Sequence, residues 1–348
     1  MRNDLSIERT QPTRAHWRRR VAAMALMLGA MAGSSAALAQ TAPKPDWSLA
    51  DMPSQAGRFF LVTGGTSGMG FEDAKALAAS GAHVVIAARN AERGREAMDR
   101  IRKDTPDARL QFEVVDLANL DSVRALGRRL GTALPRLDGL INNAAVMALP
   151  QRGVSADGFE MQLATNYLGH FALTAELMPL LRKSASPRVV TLSSIAVHRG
   201  GLDFDNLQSD KAYDAYAAYA QSKIACLMFA FELQRRSDAA GWGITSMAAH
   251  PGIAVTELVA RGPGLDSEQG RRWAAGKDQM QSAAQGAIPT LFAATAPDAV
   301  AGAYYGPTGM NEMRGPLGLA TVPAVAQDAT AAARLWDVSE ALTGARFR

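Results

Sequence analysis

Tyr219-Ala-Gln-Ser-Lys223 sets a phenol and an ammonium four residues apart, which places both on one face of a helix. A free phenol, with a pKa of about 10, is a poor proton shuttle near neutrality. A lysine charge beside it stabilises the phenolate and brings that pKa toward working pH, making an acid–base couple. Ser194 ends the run Arg188-Val-Val-Thr-Leu-Ser-Ser194, and its hydroxyl can hold a carbonyl oxygen beside the phenol. Amides come from Asn142-Asn143-Ala144-Ala145 and from Asn166, in Asn166-Tyr-Leu-Gly-His-Phe171. His250-Pro251-Gly252-Ile-Ala-Val-Thr256 closes another apolar run, while His198 is expected in an exposed loop. The chemistry this set suits is proton transfer to or from a substrate oxygen.

A second cluster suits a dinucleotide. Thr63-Gly64-Gly65-Thr66-Ser67-Gly68-Met69-Gly70 follows a short apolar run and leads into a helical pattern. Glycines there permit a tight turn and let backbone amides approach a pyrophosphate at the helix N-terminus. The ribose is read about 20 residues further on, where a carboxylate would bind a free 2′-hydroxyl. This chain has Ala87-Ala88-Arg89-Asn90 instead. Arg89 can pair with a 2′-phosphate, so NADP(H) is expected over NAD(H). Asp116 is placed to accept from an adenine amine.

These groups need a scaffold. Six apolar runs read as buried strands: Phe59–Thr63, Val84–Ala88, Phe112–Asp116, Gly139–Asn142, Arg188–Ser193 and Ile244–Ala248. Continuous rather than alternating apolar strands joined by helices predict a Rossmann-type, doubly wound parallel sheet of about seven strands in one α/β domain. The last helix is predicted to begin at Asp328 as cap, to bury Leu335, Val338 and Leu342, and to stop at Gly344. Glu257–Gln281 carries Leu258, Val259, Leu265, Trp273 and Met280 among glycines and a proline. It reads as a lid over an apolar pocket, favouring a lipophilic alcohol, ketone or aldehyde.

The combined motifs resemble the short-chain dehydrogenase/reductase family over residues 57–345. Ala87-Ala-Arg-Asn90, His198-Arg-Gly-Gly-Leu-Asp-Phe-Asp205, Ser282-Ala-Ala-Gln-Gly286 and Ala303-Tyr-Tyr-Gly-Pro307 resemble its retinol dehydrogenase and protochlorophyllide reductase branch. The resemblance implies hydride transfer between a nicotinamide and an alcohol or carbonyl, with Tyr219 as general acid/base. Lys223 would bind the nicotinamide ribose and lower the phenol's pKa, and Ser194, second of the Ser-Ser pair, would orient the substrate oxygen. Asn166 would hold a water relaying protons from Lys223. Pro251, Gly252 and Thr256 would seat the nicotinamide, and Asn143 would support the cofactor. Ala145 departs from the glycine usual after Asn-Asn-Ala. A non-catalytic nucleotide binder would need none of Ser194, Tyr219, Lys223 and Asn166, and a sugar-nucleotide epimerase or dehydratase would need glycine at Ser67.

Charge and composition narrow the partners. Residues 1–39 hold six arginines against Asp4 and Glu8, and the rest of the chain carries 31 basic and 31 acidic residues. A body without net charge indicates no nucleic-acid partner. The expected partners are a small-molecule substrate and further copies of the chain in a dimer or tetramer. Cys226 is the single cysteine, which excludes an intramolecular disulfide or a cysteine-built metal site, and no metal is expected. Arg18-Arg-Arg20, the uncharged run Val21–Ala39 and Ala37-Leu-Ala39 make a signal peptide, with twin-arginine export to a periplasm as the expected route. Membrane contact is expected only through an uncleaved leader, and residues 40–56 read as a linker.

Overall fold

The computed structural model of the chain describes residues 43–347, so the leader expected over residues 1–39 lies outside the described residues. Eight strands form one sheet: β1 (Phe59–Thr63), β2 (His83–Ala88), β3 (Arg109–Val114), β4 (Gly139–Asn142), β5 (Arg188–Leu192), β6 (Thr245–Ala249), β7 (Tyr304–Gly309) and β8 (Arg314–Leu319). Their order is β3-β2-β1-β4-β5-β6-β7-β8, parallel throughout except for the antiparallel β7–β8 pair. The order reverses between β1 and β4. Crevices at such a switch point, outside the carboxyl ends of the strands, are where this architecture binds ligands.

Helices α1 (Gly68–Ala79), α2 (Ala91–Asp104), α3 (Leu120–Ala133), α4 (Gly169–Leu181), α5 (Ala215–Ala240), α6 (Leu258–Arg261), α7 (Glu268–Gly276), α8 (Ala283–Thr295) and α9 (Ala329–Thr343) connect or follow the strands. Successive strand residues face opposite ways, so apolar runs without alternation need cover on both sides. Leu61, Val85, Leu140 and Val189 pack with α3, α4, α5 and α9. Phe60, Val62, Val84, Ile86, Ile141 and Val190 pack with α1, α2 and α8. The final helix has Asp328 as N-cap, its carboxylate accepting from the Thr330 and Ala331 amides, and stops at left-handed Gly344. Leu335 is buried, with Val338 and Leu342 partly so.

Three details differ from expectation. β8 brings the strands to eight; its Gly- and Pro-bearing sequence hides a strand, which Pro316 tolerates because β8 is an edge. β3 starts at Arg109, because its partner β2 pairs it residue by residue from His83. The described part of residues 40–56, read as a linker, is anchored to the body at Trp47 and Gln55. Trp47 is 7% exposed and meets the Phe292 ring edge-on at 5.5 Å, and Gln55 is buried.

Candidate active site

A cleft of about 1080 Å³ opens at the carboxyl ends of the strands, larger than the roughly 300–1,000 Å³ of most small-molecule sites. It is lined by Gly64, Thr66, Ser67, Gly68, Met69, Gly70, Arg89, Asp116, Asn143, Ser194, Tyr219, Lys223, Pro251, Gly252 and Thr256. Every residue expected to bind cofactor or do chemistry therefore meets there, with one exception. Asn166 is 1% exposed and lies behind the wall.

The glycine loop is built for close approach. Gly64 and Gly68 have φ of +70° and +56°, and a Cβ on Gly70 would stand 2.3 Å from Asn143 Nδ2. Asn143 Nδ2 donates to the Thr63 carbonyl at 2.7 Å, and the Asn143 and Ala144 amides donate to Thr63 Oγ1 at 2.9 and 3.0 Å. This ties the end of β4 to the end of β1. Ser67, the N-cap of α1, makes no side-chain bond to the first turn of that helix, which leaves its amides to serve an anion. Arg89 follows β2, and Arg93, one turn into α2, also lines the cleft and lies 3.3 Å from Glu257. Asp116 lines the cleft while its Oδ1 accepts from the Ala118 amide at 3.0 Å.

The catalytic side chains come from β5 and α5. Asp214 caps α5 by accepting from the Tyr216 and Ala217 amides, and this helix carries Tyr219 and Lys223, both buried. Ser193 Oγ donates to the Lys223 carbonyl at 2.9 Å, fastening strand to helix. Ser194 is half-buried at the cleft, its Oγ accepting from the Ala196 amide at 3.1 Å. Lys223 Nζ donates to the Leu192 carbonyl at 2.9 Å. Burial pushes the Tyr219 phenol well above its ordinary value, against the pull of the Ser194 hydroxyl. Burial pushes the Lys223 ammonium down. In this arrangement the ammonium is engaged by the strand carbonyl, and desolvation is the largest influence on the phenol.

The Asn166 side chain has a structural task. Its Oδ1 accepts from the Val146 amide at 2.8 Å, and its Nδ2 donates to the Val146 carbonyl and to Ser222 Oγ, both at 2.9 Å. All its side-chain donors are spent joining the loop after β4 to α5. It lies in a π-helical turn, Ala164–Leu168, where its carbonyl accepts from His170 Nδ1 at 2.9 Å and from the Cys226 thiol at 3.1 Å. Since a carbonyl only accepts, His170 carries its proton on Nδ1, and its Nε2 accepts from Thr63 Oγ1 at 2.8 Å. Burial holds His170 at a pKa of about 4, so the ring is neutral. Sequence reasoning passed over His170 and Arg93. The first reads as a core residue, and the second is one of many charges on α2.

Beyond Ser194 the cleft carries an apolar patch, with Arg199, Arg261, Glu268 and Arg272 also in its lining. Met147, Ala196, Tyr219 and Val259 cluster with Tyr216, Leu258 and Trp273. Leu258 and Val259 belong to α6 and Trp273 to α7, both within the segment expected to act as a lid.

Comparison with known proteins follows this geometry. Residues 58–263 match the family model described as short chain dehydrogenase. The chain is 40% identical over 300 residues to polyprenol dehydrogenase of Mus musculus, covering 84% of this chain and 86% of that one. It is 36% identical over 293 residues to retinol dehydrogenase 12 of Homo sapiens, covering 84% and 88%. Among solved structures, an uncharacterized protein from Mycobacterium paratuberculosis matches with a TM-score of 0.71 at 36% identity, over 87% of this chain and 99% of that one. The NADP active-site complex of RhlG from Pseudomonas aeruginosa matches with a TM-score of 0.57 at 26% identity, over 72% and 94%. The relatives overturn the periplasmic location expected from residues 1–39, because they are proteins of mouse and human, whose cells have no periplasm. Among the described residues, no helix is long and apolar enough to cross a membrane.

Proposed function

The chain belongs to the short-chain dehydrogenase family, and on that premise we propose that its cleft moves a hydride between NADP(H) and a lipophilic alcohol or carbonyl compound. That it is an oxidoreductase of alcohol and carbonyl groups with a nicotinamide cofactor follows from the family. The proposal adds the phosphorylated cofactor, the substrate class and the residue roles. One observation carries it: Tyr219, Lys223 and Ser194 line the same cleft as the glycine loop.

The residues fit the cofactor. The amides at the start of α1 and the glycine loop would hold the pyrophosphate, and Arg89 the 2′-phosphate, with no carboxylate at the end of β2 to repel it. Asp116 would meet the adenine, Asn143 would brace the loop, and Pro251, Gly252 and Thr256 would seat the ring. When bound, the nicotinamide supplies or accepts the hydride. Tyr219 moves the proton at its hydroxyl, Ser194 Oγ orients the substrate oxygen, and Lys223 holds positive charge on the same helix face. RhlG with NADP supports the phosphorylated cofactor. The apolar cluster around Tyr219, together with relatives named for polyprenol and retinol, supports a lipophilic substrate.

Tyr219→Phe tests the reading, because it keeps the ring and removes the donor. Turnover on a panel of apolar alcohols and carbonyls should fall by about 10²–10⁴-fold, with NADPH affinity by fluorescence titration unchanged. A variant retaining more than half the parental turnover would show that another group supplies the proton.

A further inference from the structure

The turn between β7 and β8 holds residues that this function leaves unused. Met310, Asn311 and Glu312 follow one another at φ of +47°, +54° and +63°, a left-handed stretch that residues with a Cβ rarely adopt. That backbone delivers the Glu312 carboxylate between two histidines. Its Oε2 lies 3.3 Å from His250 Nε2 and 3.4 Å from His198 Nε2, and its Oε1 accepts from the Thr321 amide at 2.7 Å. The His250 side chain is fully buried and that of Glu312 is 14% exposed.

The hydrogen bonds define the tautomer. The Gly252 amide donates to His250 Nδ1 at 3.1 Å, so in the neutral ring the proton sits on Nε2, which is buried without an aligned hydrogen-bond partner and has the Glu312 carboxylate 3.3 Å away. A Cβ on Gly306 would stand 2.0 Å from His250 Nε2, so the ring occupies space that only glycine leaves. The same turn grips the next residue along, because the Ile253 amide donates to the Met313 carbonyl at 2.8 Å. On the other side, His198 lies in the 3-10 turn Ile195–Arg199 that Ser194 caps. The Tyr304 ring lies 5.1 Å from the His250 ring, tilted at 50°, and its hydroxyl donates to the Ser194 carbonyl at 3.4 Å.

We propose that Glu312 is a positioning residue: its carboxylate, hydrogen-bonded to His198 and facing buried His250 at 3.3 Å, sets the Gly252 amide at a fixed distance from Ser194. This rests on the reading that Pro251–Gly252 seat the nicotinamide and Ser194 the substrate oxygen. The titratable groups facing Glu312 and His250 are each other, His198 and Tyr304. Burial works to raise the Glu312 carboxyl, but the His250 and Thr321 contacts outweigh it and hold it at about 2. Burial pushes His250 down, with Glu312 opposing. A second proton on His250 would go to Nδ1 and break the bond to the Gly252 amide.

The test compares the parental full-length protein with Glu312→Gln and Glu312→Asn. Gln keeps the reach without the charge. Asn tolerates the left-handed backbone but falls short of both rings. For Glu312→Asn, KM for NADPH should rise about tenfold, the scale of losing one carboxylate contact, with kcat changed less, and Glu312→Gln should fall between. Imidazole ¹⁵N spectra without cofactor should show the Nε2–H tautomer for His250 in the parent, and its titration should move to lower pH in both variants. Parental KM and kcat in both variants would overturn the proposal, as would a fall in kcat that merely tracks the folded fraction. A parent without any nicotinamide-dependent turnover would instead overturn the functional reading, and would be recognised before any variant is made.

Discussion

Asp73→Asn should stabilise the protein by an amount that grows with pH. Asp73 lies on α1, the helix that leaves the glycine loop, with 0% exposure and no hydrogen-bond partner for either carboxylate oxygen. Burial first, and the neighbouring Glu72 charge second, push its pKa well above the ordinary 3.8. An unfolded chain gives up this proton near the ordinary value, whereas the folded chain keeps it. Between the two pKa values the folded state binds the extra proton, so raising pH favours unfolding. Each pH unit in that window costs the folded state about 1.4 kcal/mol, and the loss levels off above the folded pKa. Asn keeps the shape and an equally unpaired polar head but does not titrate. The two proteins should therefore differ little in urea unfolding near about pH 4, with the variant gaining about 1.4 kcal/mol per unit above it. A difference that stays constant with pH would refute the reasoning, because it would mean that Asp73 titrates alike in both states.

Two further substitutions probe the cofactor cleft. Arg89→Ala should raise KM for NADPH about ten- to hundredfold, the loss of a charge-assisted pair of roughly 1.5–3 kcal/mol, and leave KM for NADH nearly unchanged. Arg93→Ala should do less, since Arg93 is about half exposed and already paired with Glu257. Equal effects on the two cofactors would remove the case for the phosphorylated one. Gly70→Ala drives a methyl toward Asn143 Nδ2 and to 2.7 Å from the Gly64 carbonyl. It should cost about 1–3 kcal/mol of stability as overpacking and abolish cofactor binding, both measurable by thermal unfolding with and without NADPH. Parental stability and affinity together would show that the loop has room to spare.

Local signals and legibility went together. The glycine loop and the Tyr219/Lys223 pair are written in short spacings, and short spacings determine turns and helix faces. The doubly wound sheet was legible because its inner strands are apolar at successive positions, such as Phe60-Leu-Val62 and Val84-Val-Ile86, which only two covered faces can bury. β8 was hidden because Arg314-Gly-Pro-Leu-Gly-Leu319 has neither alternation nor an apolar run, and it pairs only as the far arm of a hairpin. The contacts of Asn166 were hidden for another reason. A π-helical turn breaks the 3.6-residue repeat and redirects its amide to Val146 and Ser222. Glu312 was invisible because its partners stand 62 and 114 residues away along the chain. The hold of Lys223 on Leu192 depends on where a strand ends beside a helix, which no spacing within the helix reveals.

Cys226 extends what can be learned from the wall that bears the phenol and the ammonium. It is the only thiol of the chain, 1% exposed, three residues beyond Lys223, and its hydrogen goes to the Asn166 carbonyl. Burial also pushes its pKa up, so it is unreactive while α5 stays seated. A thiol reagent can reach it only when that helix lifts from the π-helical turn. The labelling rate of the unaltered protein therefore clocks that opening, and its slowing on addition of NADPH would measure, through one native sulfur, how firmly the dinucleotide shuts this side of the molecule.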